Sequence, residues 1–413
     1  MLDYTKHIFS NGLRFIHHYD ADTPMVAVNL LYNVGARDEN EMQTGVAHLF
    51  EHLMFGGSKN APSYDEPLQD ASAENNAFTS NDLTNYYVLL PKDNIETALW
   101  LESDRMSHLT LNEKTLSIQK QVVIEEFKQR YLNQPYGDAW LIFRELCYKT
   151  HPYKWATIGK EIAHIESFSL EDAKRFYNNF YTPSNAILCI AGNIEFTACK
   201  ELISNWFSAH QNGSKNSNSY HNEPEQTESR LLVVEKDVPA DMIMIGYLGV
   251  SQKDTRYFAM ELLTDILGSS VSSRLYQNLV KNQQLFSDIA CYHTDSIDKG
   301  LIVISGRISS NVEISIAEQA VMHTLQTIID NGLGSNELTK VKNKKLTAIK
   351  FGEISILERA MQLCFAENIG NIDRVNEIER SYKNVSELEI ISFAKEFLGN
   401  ERKNTLYYKS NRK

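Results

Sequence analysis

Cysteine is scarce in this 413-residue chain, and its five cysteines are odd in number and widely scattered. They are Cys147, Cys189, Cys199, Cys291 and Cys364. This pattern excludes a small fold built on a disulfide framework. Because cysteines stand within apolar stretches such as residues 186–191, we expect reduced thiols in the protein core.

Long apolar runs are also lacking, since no stretch approaches the roughly 20 residues that a membrane-spanning helix needs. The N-terminal residues 1–7 do not show the basic and then apolar pattern of a secretory leader. The sequence as written therefore predicts a protein without a membrane span. We expect it in the cytoplasm, or in the periplasm if a leader was removed.

Positive charge is in the minority. Lysine and arginine number 41 against 53 aspartate and glutamate residues, which gives a formal net charge of -12. The acidic residues are spread along the chain, and no basic stripe interrupts them. This balance disfavours nucleic acid and anionic membrane surfaces as partners.

The length of the chain favours two domains of roughly 200 residues each. Strand-like residues 13–18 and Met25–Tyr32 precede a helical segment at 45–54, and the strand Met242–Leu248 precedes a helix at 254–266 in the same way. The polar run 211–219 separates these halves. We predict a first domain at 1–210, a polar linker at 211–229 and a homologous domain at 230–413.

Later segments repeat in both halves as well, with alternating strands followed by long helices at 95–107 and 311–329. This order predicts an α+β fold. Each homologous domain would be a mostly antiparallel sheet with helices packed on one face. The two domains would face each other across a cleft.

His48, Glu51 and His52 lie in the segment 45–54, which is amphipathic with helical periodicity. Side chains at positions i, i+3 and i+4 converge on one helix face. Two imidazoles one turn apart suit a tetrahedral zinc ion, and the carboxylate between them is placed to accept a proton rather than to ligate. Histidines at this spacing also occur by chance, so the pair alone does not decide between a metal site and an ordinary helix.

A catalytic zinc ion usually has three protein ligands, so a further acid or imidazole must come from elsewhere. The candidates are Glu125 and Glu126 in the helical segment 121–127, of which only one can face the metal helix. In the second half, alignment of the helix ends places Met260, Leu263 and Thr264 at the positions of the motif. The second half therefore keeps the scaffold without the ligands.

The H-x-x-E-H motif at 48–52, the Val-Ile-Glu-Glu segment at 123–126 and the duplicated halves resemble the pitrilysin-type zinc metallopeptidases, or inverzincins. This family includes the mitochondrial processing peptidases, and bacterial processing-protease-like subunits are similar. The resemblance implies one Zn²⁺ per chain, held by His48, His52 and Glu126. Glu51 would then activate a zinc-bound water for hydrolysis of peptide bonds in short or unfolded polypeptides.

The segment from Asn76 through Ala77 and Phe78 to Thr79 is similar to the strand to which this family adds the substrate backbone. The resemblance implies that these four residues contact the peptide substrate, although an ordinary edge strand would read the same way. Tyr87, in the strand that follows, is a candidate donor to the oxyanion.

Two departures from the family pattern bear on function. Gln119 stands where the family has a second glutamate that supports the metal site. Val280 and Ser287 stand where complete members carry an arginine and a tyrosine that clamp the substrate. We therefore expect a dimer, in which a related chain could supply the missing clamp. A non-catalytic or partner-dependent structural or peptide-binding subunit of the same fold is the alternative.

Overall fold

The computed structural model describes residues 1–210 and 222–412. Of the predicted linker 211–229, residues 211–221 therefore lie outside the described residues. In the described residues the strands are β1 Thr5–Ile8, β2 Arg14–Tyr19, β3 Met25–Tyr32, β4 Glu74–Thr79, β5 Thr84–Pro91, β6 Ala186–Gly192, β7 Arg230–Lys236, β8 Met242–Leu248, β9 Phe286–His293, β10 Leu301–Ile308 and β11 Asn404–Ser410.

The α-helices of the described residues are α1 Val46–Leu53, α2 Asp65–Asp70, α3 Ile95–His108, α4 Glu113–Phe127, α5 Ala139–Cys147, α6 Ile162–Ser167, α7 Leu170–Phe180, α8 Phe196–Phe207, α9 Tyr257–Gly268, α10 Ile314–Asn331, α11 Glu337–Gly352, α12 Ile356–Ile369, α13 Arg374–Asn384 and α14 Glu387–Phe397. None of these helices is long and apolar enough to cross a membrane.

Two compact units make up the described chain. The first consists of Met1–Lys128, residues 155–210 and Lys350–Glu377, and the second contains Gln129–Lys154 and the remainder of the C-terminal half. These units depart from the predicted contiguous ranges because each takes one stretch from the opposite half. The predicted two-domain α+β class is confirmed.

The two sheets share one topology. The first has six strands in the order β1-β2-β6-β3-β5-β4, and the second has five in the order β7-β11-β8-β10-β9. In each sheet one pair is parallel, β2 with β6 and β7 with β11, and all the other pairs are antiparallel. The second sheet thus repeats the first, apart from β1, as expected for an internal duplication.

Helices cover both faces of each sheet, rather than the single face expected from the sequence. In the first unit α3 packs on β3 and β5, while α12 covers the other face with Ala360, Leu363 and Cys364. In the second unit α9 and α10 pack on one face, and α5 covers the other through Phe143 and Cys147. The exchanged segments supply α12 and α5, which explains why each sheet has a second covered face.

The five cysteines are buried and free. This result confirms the expectation of reduced core thiols. Burial raises the pKa of Cys199 to about 12, so this thiol is neutral at physiological pH and acts as an apolar side chain.

Candidate metal centre

Helices α1 and α4 bring together the three predicted ligands. His48 Nε2 lies 3.3 Å from His52 Nε2, and Glu126 Oε2 lies 3.7 Å from the former and 3.5 Å from the latter. All three side chains are half-buried. Throughout the described parts of the chain this is the only group of three or more histidine, cysteine or acidic residues spaced to hold a metal ion.

These distances fit a tetrahedral zinc ion. Ligands about 2.0–2.2 Å from zinc at tetrahedral angles lie roughly 3.3–3.6 Å from one another. The two imidazole nitrogens, 3.3 Å apart, have the separation expected of two zinc ligands. Two nitrogens and one carboxylate oxygen match the donor set of a catalytic zinc site.

The metal helix is anchored at its N-terminus by Glu39. Its carboxylate accepts hydrogen bonds from the backbone N–H of Gly45 at 2.9 Å and of Ala47 at 2.8 Å, which would otherwise be unpaired at the helix start. Gly45 has φ of +86°, a conformation that favours glycine. Burial raises the pKa of Glu39 to about 8, although the two N–H donors oppose this effect.

Helix α4 presents its adjacent acids in different directions. Asn112 caps the start of this helix by accepting the N–H of Thr115 at 2.9 Å. Glu126 faces α1, whereas Glu125 is exposed and pairs with Lys128 at 2.7 Å. The arrangement agrees with the expected choice of Glu126 over Glu125 as the residue that faces the metal helix.

Glu51 lies on the same face of α1 and is held from the edge of the sheet. The hydroxyl of Thr79 donates to Glu51 Oε2 at 2.6 Å, and the Thr79 backbone N–H also donates to this carboxylate. Burial raises the pKa of Glu51, while the Thr79 hydroxyl and the nearby His52 oppose the rise. The carboxylate is therefore partly desolvated and fixed in orientation, as a general base requires.

A buried aromatic layer lies beneath Glu51. Tyr86 and Tyr181 are fully buried, their hydroxyls are 3.3 Å apart, and both are close enough to Glu51 to feel its charge. The guanidinium of Arg105 stacks on Tyr86 at 4.3 Å from the ring centre and pairs with Glu102. This buried layer therefore lies next to Glu51, which is itself half-buried.

Strand β4 is at the edge of the first sheet, and in the described residues only β5 pairs with it. The Ala77 N–H donates to the side-chain Oδ1 of Asn76 at 2.8 Å. Because the backbone N–H and C=O groups of successive residues point to opposite sides of a strand, those of Ala77 and Thr79 point away from β5. Ala77 and Thr79 lie on the sheet face of α1, whereas Asn76 and Phe78 lie on the α12 face, where Phe78 contacts Phe365 at 6.2 Å between ring centres.

Two other residues predicted for the site do not join the cluster of His48, His52 and Glu126. Tyr87 pairs with Asn76 and so lies on the sheet face opposite Thr79. Gln119 lies two turns before Glu126 on α4 and is half-buried.

Within the second unit, Val280 packs partly buried against the core and Ser287 is exposed on β9. The residues aligned with the metal motif are buried in α9 and carry no metal-binding groups; they are Met260, Leu263 and Thr264.

Sequence reasoning missed Glu39 altogether and missed the contact of Thr79 with Glu51. Glu39 caps α1 across the intervening loop 40–44, and no local helix signal marks an acid so far from the first turn. Thr79 was expected to contact substrate, and its hydrogen bond to Glu51 could be inferred only by pairing the edge strand with the motif helix. An N-cap search around Gly45 that allowed remote acids would have found Glu39.

Comparisons with known proteins identify the family of this chain. Residues 14–136 match the family model described as Insulinase (Peptidase family M16), and residues 167–345 match the model described as Peptidase M16 inactive domain. Together these two matches cover well over half of the chain. The second match contains no residue of the metal centre.

Similar proteins cover most of the chain. A Helicobacter pylori protein named Zinc protease PqqE is 28% identical over 97% of this chain and 91% of its own length. A probable mitochondrial-processing peptidase subunit beta from Arabidopsis thaliana is 23% identical over 70% of this chain and 57% of its own. The crystal structure of a protease from Helicobacter pylori superimposes with a TM-score of 0.94 at 25% identity, covering 99% of this chain and all of that one. The chain therefore belongs to the pitrilysin-type M16 peptidase family.

Proposed function

We propose that this chain is a zinc-dependent endopeptidase that hydrolyses peptide bonds in short or unfolded polypeptides. The observation that carries the proposal is the meeting of three elements at Glu51. The cluster of His48, His52 and Glu126 lies beside it, and the free edge of β4 ends at it through Thr79. A peptide paired with that edge would bring a backbone carbonyl next to the metal centre.

The ligand geometry supports a zinc ion held by Nε2 of His48, Nε2 of His52 and Oε2 of Glu126. When bound, zinc polarises a carbonyl and lowers the pKa of a coordinated water toward ~7. Glu51 accepts the proton released during attack and then delivers it to the leaving nitrogen. Thr79 holds the carboxylate in place through both transfers.

Substrate recognition follows from the edge of β4. An extended peptide would replace the Asn76 side chain as the partner of the Ala77 N–H, and its side chains would alternate between the two sheet faces. A folded protein rarely offers an unpaired strand, so short and unfolded chains are the expected substrates. The resemblance of Phe78 and its neighbours to the family strand supports the same assignment.

A partner-dependent subunit is the second candidate, and one observation favours it. Val280 and Ser287 leave the second unit without the arginine and tyrosine of complete members, and that half matches a model described as inactive. In this form the chain would contribute the metal centre to a dimer and a related chain would contribute the clamp.

The decisive experiment is metal analysis combined with cleavage of a quenched peptide, with and without chelator. We expect one zinc ion per chain and cleavage that the chelator stops. Glu51→Gln should keep zinc and lower kcat by about 100-fold or more, since a general base contributes ~10²–10⁴. His52→Ala should lose the metal itself.

The neighbouring acid offers a matched control. Glu125→Gln removes an exposed carboxylate next to the ligand, so zinc content and cleavage should match those of the unmodified chain. Glu126→Gln should lose zinc. Equal zinc content in the Glu125→Gln and Glu126→Gln variants would contradict the assignment of Glu126 as a ligand. Full cleavage by Glu51→Gln would contradict the assignment of Glu51 as the base.

A further inference from the structure

Strand β7 forms one edge of the second sheet. Strand β11 pairs with it in parallel register along its whole length, from Arg230 opposite Asn404 to Lys236 opposite Ser410. In the part of the chain that the structure describes, no strand pairs with the other edge of β7. A row of backbone N–H and C=O groups there has no partner strand.

The corresponding edge of the first sheet is covered. There β1 pairs antiparallel with β2, the counterpart of β7. The stretch 222–227 before β7 is not a strand, and Glu223 within it accepts the N–H of Thr150 at 2.9 Å and of His151 at 3.0 Å. These bonds hold that stretch away from a position equivalent to β1, so the described chain has no cover of its own for this edge.

The uncovered strand is also apolar. Leu231 is 59% exposed, Leu232 is 36% exposed and Val233 is 48% exposed. Natural edge strands are usually short, charged or covered, because a long apolar edge pairs readily with another strand. Three successive exposed aliphatic residues on a seven-residue edge mark a surface for strand addition.

We propose that β7 pairs antiparallel with β7 of a second copy of this chain about a two-fold axis, which joins the two sheets into one. Such an axis is perpendicular to the sheet, so a side chain and its symmetry copy lie on the same face of the joined sheet. Residues that face each other across the interface must therefore both have even numbers or both have odd numbers. The central choices are Leu232 or Val233 on the axis.

Charge selects between these registers. With Leu232 on the axis, Leu231 faces Val233 and Arg230 faces Val234, so no like charges meet within the strand. Lys236 would then lie beside Glu228, two residues before β7. With Val233 on the axis, Arg230 would face Lys236, and like charges directly opposite each other destabilise a strand pair. The first register is therefore the one we assign.

Backbone geometry agrees with this register. The N–H of Arg230 donates to the C=O of Lys403, the residue before β11, at 2.8 Å, so by alternation Leu231 and Val233 direct their backbone groups to the free edge. These two residues would exchange a pair of N–H···O bonds across the interface. Leu232 would face its own counterpart as a non-hydrogen-bonded pair, with Cα atoms about 4.5 Å apart.

A cysteine on the axis tests the pairing and its register together. A separation of about 4.5 Å lies within the range for a disulfide, and the native cysteines are all buried. We expect Leu232→Cys to form a covalent dimer on mild oxidation with diamide, whereas Ile316→Cys, on a helix of the same unit and 49% exposed, should not. Equal cross-linking of both variants would overturn the proposal.

Self-association provides the second measurement. Lysine at an edge opposes strand pairing, so Leu231→Lys together with Val233→Lys should weaken the dimer by about 100-fold in sedimentation analysis, while Ile316→Lys leaves it unchanged. Thermal unfolding of each variant separates misfolding from loss of pairing. A monomer at all concentrations, or a dimer that forms only after deletion of residues 212–220, would overturn the proposal; the second result would show that the chain covers this edge itself.

Discussion

At the scale of single residues, Glu51 connects the candidate metal centre to the edge of strand β4. Its carboxylate accepts two hydrogen bonds from Thr79 and is partly desolvated. Burial raises its pKa and the Thr79 hydroxyl opposes this rise. Thr79 therefore both orients the carboxylate of the proposed base and opposes the rise of its pKa.

Removing the Thr79 hydroxyl should slow catalysis without loss of the metal. We expect Thr79→Val to lower kcat by about 10-fold, because a carboxylate released from a fixed hydrogen bond samples unproductive orientations. Thr79→Ser keeps the hydroxyl and should restore most of the rate. Zinc analysis and steady-state kinetics check this, and loss of zinc from Thr79→Val would instead mean that the strand supports the ligands.

Glu39 makes the stability of the fold depend on pH. Burial raises its pKa from the usual 4.5 to about 8, so the folded chain binds this proton more tightly than the unfolded chain does. Its contribution to the free energy of unfolding is therefore full below about pH 4.5 and is lost as the pH rises toward 8.

Glu39→Gln should remove this part of the pH dependence. We expect the free energy of unfolding of the variant to fall less between pH 5 and pH 8.5 than that of the unmodified chain, measured by urea unfolding. The exposed Glu41→Gln is the matched control, and its pH dependence should follow the unmodified chain. Parallel curves for Glu39→Gln and the unmodified chain would contradict the assignment.

At the scale of elements, the second unit repeats the helix, edge strand and long helix of the metal centre with different chemistry. Helix α9, strand β9 and helix α11 contribute Glu261, His293 and Lys345, and Glu261 lies 3.2 Å from the imidazole and 3.0 Å from the ammonium. Burial alone would raise the pKa of Glu261, but His293 and Lys345 hold it at about 2. Its stabilising contribution is thus present above the usual pKa of 4.5 and is lost as the pH falls toward 2.

Lys345 should therefore carry much of the stability of the second unit. Lys345→Met removes the ammonium that pairs with the buried Glu261, and we expect a loss of about 3 kcal/mol in the free energy of unfolding. The adjacent Lys344→Met is the matched control, because that ammonium is exposed and 3.9 Å from Asp265, and surface pairs contribute about 0–1 kcal/mol. Equal effects in urea unfolding would show that the cluster does not depend on Lys345.

Individual elements were predictable where local periodicity was strong. Strand β3 has the predicted bounds, and α1 differs from the predicted segment by one residue at each end. The three proposed ligands were predicted from helical spacing together with a family resemblance, and the structure brings their atoms within 3.7 Å of one another. Tyr87 was expected to serve the site, but the register of β4 and β5 places it on the other face, and register is set by long-range pairing that the sequence does not reveal.

At the scale of the whole molecule, the exchange of α5 and α12 between the two halves of the sequence could not be predicted. Both helices follow a long helix at corresponding points of the duplicated halves, and each packs on the sheet of the opposite half. Amphipathic periodicity shows that a helix buries one face but not which sheet it covers. Arg359 of α12, 2.6 Å from Asp20, pairs residues that are distant in sequence, and no local pattern identifies such a pair.

The absence of the arginine and tyrosine clamp predicts that peptidase activity depends on a partner chain. Mixing the unmodified chain with a variant that carries the clamp tests this prediction. We expect the unmodified chain to cleave peptides weakly, because Val280 and Ser287 offer no charge or hydroxyl of the family type toward a substrate carbonyl. A second chain carrying Val280→Arg, Ser287→Tyr and Glu51→Gln has the clamp but no base.

Mixing it with the unmodified chain should raise kcat/KM by about 10-fold or more, if the clamp acts between chains. The same pair of substitutions without Glu51→Gln measures the effect within one chain. A gain only in that variant would place the clamp inside the chain. Full activity of the unmodified chain, unchanged by either addition, would show that this enzyme works without a clamp.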